Sequence, residues 1–105
     1  MTYVSDHARK RMRERNGLNK KSIDRIADKA YKYGLKHSET TGRLNKWITK
    51  LYFVNRDANS IRIYGDKVYI FSNDFLITVF KVPNNLLNTV RANKKQKVAK
   101  ISAKK

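Results

Sequence analysis

The sequence predicts an α+β domain. In it, two or three N-terminal helices pack on one face of a three- to four-stranded antiparallel meander, followed by a short C-terminal helix and a basic tail. Three observations carry that expectation. Ile61 to Val82 holds three runs of β-branched and aromatic residues, separated by the turn dipeptides Gly65-Asp66 and Asn73-Asp74. Apolar residues at Ile23, Ile26, Ala27, Ala30 and Tyr31 follow helical spacing. From Asn93 onward the chain is Lys-rich, with Val98 and Ile101 as its only large apolar groups. The division expected is a single domain over residues 1–91 and a flexible tail over 92–105.

In chain order, Tyr3-Val4 is either a short strand or a staple for the first helix. Ser5 is a suitable N-cap, Asp6 suits the first turn, and Gly17 can stop the helix in the left-handed region. Ala8 and Met12 share one side of this helix. Asn19 caps a second helix over about residues 20–33, which Gly34 closes, with Lys20, Lys21, Arg25, Lys29 and Lys32 off its apolar stripe. Leu35 to Arg43 is rich in hydroxyls and precedes a helical pattern of Leu44, Trp47, Ile48 and Leu51, with Thr40 or Thr41 as its cap. Leu51–Val54 reads as either the end of that helix or an extra strand, and 55–59 as a loop. Pro83 ends the meander, and 84–91 make one short helix.

Two-residue loops fix a register: Ile61 faces Ile70, Ile63 faces Val68, Ile70 faces Ile77 and Val68 faces Val79. One face then reads Ile61, Ile63, Val68, Ile70, Ile77 and Val79, to be covered by helices. The other carries Arg62, Tyr64, Lys67, Tyr69 and Thr78 with Phe71, Leu76 and Phe80, and is expected to stay wet.

The net charge is +17. Residues 1–50 hold fourteen Lys/Arg against five Asp/Glu, and residues 84–105 hold seven bases and no acid. Such a balance suits a polyanion, and Arg interleaved with Tyr favours nucleic acid over lipid. RNA is the first choice and DNA the second, with a protein partner (an antitoxin or a host nucleoprotein) also open and no membrane partner expected. Without cysteine there is neither a disulfide nor a thiolate metal site, and a cytoplasmic location is expected. No cofactor and no metal are implied, since nucleotide-loop, dinucleotide and paired-histidine signatures are absent.

What remains fits metal-independent RNA cleavage, which needs a proton acceptor near the 2′-hydroxyl, a donor near the leaving oxygen and cations around the phosphoryl group. His7 or His37 can move protons near neutral pH, and Glu39 is a second base. Arg62, with Arg11 and Arg43, would hold the phosphate. Arg15 and Lys67 extend the basic surface, and Tyr64 and Tyr69 offer stacking faces. Each also has a plainer role: first-turn polar residue for His7, loop surface for His37, packing for the tyrosines, and a cross-strand stack for Arg62 on Tyr69. The other reading is a non-catalytic phage or bacterial effector that binds nucleic acid or blocks a host nucleoprotein complex.

The opening His7-Ala8-Arg9-Lys10-Arg11-Met12-Arg13-Glu14-Arg15 resembles the HAxxRMxER start of small bacterial and phage domains of unknown function. Their layout resembles the RelE/barnase/colicin-type toxin ribonucleases. That resemblance implies a helical pair on one sheet face, RNA on the other, and a toxin-like endoribonuclease of prophage type. Those toxins place much of their chemistry near the C-terminal end of the sheet, where residues 81–91 here offer only Lys81 and Arg91.

Overall fold

A computed structural model describes residues 2–103, without the side chains of Arg15, Asn16 and residues 99–103. The elements run β1 (Tyr3–Val4), α1 (Asp6–Asn16), α2 (Lys20–Tyr33), β2 (Leu35–Lys36), α3 (Gly42–Val54), β3 (Ser60–Tyr64), β4 (Lys67–Ser72), β5 (Phe75–Lys81) and α4 (Leu87–Ala103). Short 3-10 turns cover His37–Glu39 and Asn84–Leu86. The class is α+β, as expected. The sheet is larger and mixed: five strands in the order β1-β5-β4-β3-β2, with β1 parallel to β5 and every other pair antiparallel.

The N-terminal helices form where their caps dictate. Ser5 accepts from the Ala8 N–H at 3.0 Å and Asn19 from the Ser22 N–H at 2.9 Å. Gly17 ends α1 at φ 60. At the end of α2, Gly34 serves a close approach. A Cβ there would stand 2.5 Å from the Ala30 carbonyl oxygen and 2.9 Å from Arg62 Cβ.

The β3–β4 register is the expected one, Tyr64 opposite Lys67 through Ile61 opposite Ile70. Gly65 and Asn73 take positive φ in the two hairpin loops. The β4–β5 register departs. Phe71 faces Leu76, but Ile70 faces Thr78, Tyr69 faces Val79 and Val68 faces Phe80, so Ile77 is an extra residue at a bulge. The shift moves Val79 to the opposite face and brings Thr78 and Phe80 beside Ile70 and Val68.

Both faces of the sheet are covered, which corrects the expectation of one wet face. On one side Leu44 and Ile48 of α3 and Val90 of α4 pack on Ile61, Ile63, Val68 and Ile70. On the other, Ala8 and Met12 of α1 with Ile23, Ala27 and Ala30 of α2 pack on Tyr69, Phe71, Leu76 and Val79. Phe71 and Leu76 are fully buried, so this second face also had apolar surface to remove from water.

The C-terminal region is corrected as well. In place of a short helix and a tail from 92, α4 runs on to Ala103. Asn93 is buried and exchanges hydrogen bonds with Thr41, accepting from its N–H at 3.0 Å and donating to its hydroxyl at 3.1 Å. It caps α3, a task that Thr41's own side chain does not perform. Lys97 Nζ donates to the Tyr33 and Gly34 carbonyls at 3.3 and 3.2 Å and pairs with Glu39 at 3.2 Å. The folded domain therefore continues past residue 91. Lys104 and Lys105 of the expected tail lie outside the described residues. Among the described residues no helix is long and apolar enough to cross a membrane.

Candidate nucleic-acid interface

The two candidate histidines lie apart. His7 lies exposed in the first turn of α1, just after β1, whereas His37 follows β2 directly. These are the two edge strands of a five-stranded sheet. Four strand intervals set the edges about 19 Å apart, too far for both imidazoles to serve one phosphoryl group. His37 turns toward α3, where its Nε2 lies 2.9 Å from Thr49 Oγ1 and its ring 5.4 Å from that of Tyr52.

Arg62 faces the other way. Its Nε donates to the Tyr31 carbonyl and its Nη1 to that of Ile61, both at 3.3 Å, with the guanidinium 5.5 Å over the Tyr31 ring. The stack forms on Tyr31 rather than on Tyr69, because α2 lies against this face. Glu39 is no free base. Burial pushes its carboxyl up, but the Lys36 N–H at 2.9 Å and Lys97 outweigh that and hold it below the ordinary value.

The stacking tyrosines are likewise engaged. Tyr69 is 4% exposed beneath α1 and α2. Burial, with smaller contributions from Asp66 and Tyr64, pushes its phenol up to about 12. Tyr64 is half-buried against the same cluster. Lys67 pairs with Asp66 at 3.2 Å, and Arg11 lies 5.4 Å over the Phe80 ring. Arg43 stands exposed at the start of α3, and the Arg15 side chain lies outside the described residues. The expected platform of Arg62, Tyr64 and Tyr69 is thus a helix-packing face.

Free cations gather on α2. Lys21, Arg25, Lys29 and Lys32 are all exposed at spacings of four, four and three residues, one stripe about 16 Å long. The two acids of α2 turn to the N-terminal segment instead. Asp24 pairs with Arg9 at 3.5 Å, and Asp28 accepts from the Thr2 N–H and hydroxyl, each at 2.7 Å. The Thr2 hydroxyl and then its N–H hold the Asp28 carboxyl below its ordinary value. Among the described residues, no carboxylate comes within ion-pair distance of the four cations. Their spacing was legible in the sequence; the inward turn of Asp24 and Asp28 was not.

No family model, curated protein or solved structure matches the chain.

Proposed function

We propose that the protein binds nucleic acid, with RNA as the first choice, by laying a phosphate backbone along the solvent stripe of α2, and that it holds the strand rather than cutting it. The observation that carries this reading is the stripe itself: Lys21, Arg25, Lys29 and Lys32 are exposed with no carboxylate within ion-pair distance among the described residues. Like charges four residues apart disfavour an isolated helix by about 0.2–0.5 kcal/mol per pair, a cost that a polyanion relieves. Release of counterions from the strand then supplies affinity that requires no base reading.

Holding is favoured over cleavage because the toxin-like layout would leave one sheet face to RNA, and here helices cover both. His7 and His37 stand at opposite edges, and Glu39 is committed to Lys97. The non-catalytic effector reading is accordingly preferred to the endoribonuclease. Incubation with total RNA in EDTA, followed by native and denaturing gels, tests this. The expected result is a shifted complex with intact RNA. Cutting by the wild type that disappears in His7→Ala or His37→Ala would overturn it.

A further inference from the structure

Helix α3 carries an aromatic that its packing does not explain. Its core residues are Leu44 and Ile48, with Trp47, Leu51 and Tyr52 packed partly against the same cluster. Phe53 lies off that stripe and is 78% exposed. With Tyr52, Thr49 and His37 it lines an open depression of about 420 Å3, within the size range of small-ligand sites. Tyr52 is anchored there, its hydroxyl accepting from the Ile61 N–H at 2.9 Å.

The polar edge of the depression has a defined sense. Thr49 donates its hydroxyl proton to the Asn45 carbonyl at 2.9 Å, so its oxygen must accept from His37 Nε2–H. The neutral imidazole therefore keeps its proton on Nε2. That leaves Nδ1 as an acceptor with no hydrogen-bond partner among the described residues. Three cations are near the lining residues in sequence: Lys46 and Lys50 share one face of α3 with Thr49 and Phe53, at helical spacings of three, four and seven, and Lys36 precedes His37. All three are exposed, and none has a carboxylate within ion-pair distance among the described residues.

We infer that this depression is a nucleobase subsite, in which one unpaired base stacks on Phe53 and Tyr52 and presents an N–H to His37 Nδ1 while Lys46 and Lys50 take the flanking phosphates. The inference rests on the nucleic-acid reading above and narrows it to single strands, because a paired base can offer neither its face nor its pairing edge. An aromatic and a histidine acceptor set among unpaired lysines match the two halves of a nucleotide, one planar and one anionic.

The test is fluorescence anisotropy with a mixed-sequence single-stranded RNA decamer and with its duplex, using the full chain. Phe53→Ala should weaken single-strand binding about tenfold, the size of one lost base stack, and leave the duplex affinity and the salt dependence unchanged. Phe53→Trp should restore the single-strand affinity. Since Phe53 is largely exposed and belongs to neither core cluster, the melting temperature should stay at the wild-type value, which separates lost stacking from lost folding. An equal loss on both forms, or single-strand binding within about twofold of wild type, would overturn the subsite. Wild-type protein that binds neither form would overturn the nucleic-acid reading and the subsite together.

Discussion

Tyr69 shows how one side chain reports what covers a sheet face. It pairs across from Arg62, as the hairpin geometry requires, yet it lies beneath α1 and α2, and burial raises its phenol to about 12. The unfolded chain ionises tyrosine near the ordinary value of about 10. The folded pKa is the higher one, so the stabilisation is whole below about pH 10 and is lost as pH rises through about 12, reaching roughly 2–3 kcal/mol at the upper end. Denaturant melts across that window should show Tyr69→Phe losing less stability with alkali than the wild type; parallel curves would contradict the burial. Glu39 has the opposite sign. Its lowered carboxyl adds stability above the ordinary carboxylate range, and this is lost as pH falls through the folded value. Asn93 is a third reporter. Asn93→Ala leaves the Thr41 N–H without its acceptor, an expected loss of about 1–3 kcal/mol on chemical denaturation.

Among the elements, those with local signals were legible. Ser5 and Asn19 cap the first two helices, and Gly65 and Asn73 turn the hairpins, each a choice made by one residue's own conformational range. The β5 bulge was not legible, because an extra residue at Ile77 follows from fitting Phe71 opposite Leu76 and Phe80 beside Val68 at once. The covering of the second face had a visible sign: Phe71 and Leu76 already made it half apolar. Arg62, Tyr64 and Lys67 bring polar tips to this face, but Tyr64 packs against the helices with the rest and Arg62 lies over the Tyr31 ring. The reach of α4 was hidden because Asn93 and Lys97 read as tail composition, although they satisfy α3 and α2 backbone groups far away in sequence. Of the site, the basic stripe of α2 could be read from spacing. The His37–Phe53 depression required knowing which way β2 and α3 face. Gly34→Ala tests the α2–β3 approach. The added methyl would stand 2.9 Å from Arg62 Cβ and 3.1 Å from the Ile63 carbonyl oxygen of β3, besides 2.5 Å from the Ala30 carbonyl of α2 itself, so the variant should lose about 1–3 kcal/mol in a thermal melt. An unchanged melting temperature would mean that α2 does not lie so close.

At the scale of the whole molecule, two helical layers enclose the sheet, and charge of one sign gathers outside. A net charge of +17 opposes its own compaction and draws polyanions from a distance. Four ion pairs are formed among the described residues, all in part exposed on both sides and offering little stability. The four cations of the α2 stripe form none of these pairs, and in the proposed reading they face the phosphates. The most direct measurement is the affinity for a single-stranded RNA decamer between about 50 and 200 mM salt, for the wild type and for Lys21→Ala/Arg25→Ala/Lys29→Ala. The expected result is a linear fall of log affinity with log salt, with the variant shallower by about 2 in slope, the release expected from three phosphate contacts. A wild-type curve indifferent to salt, or a variant with the wild-type slope, would contradict it.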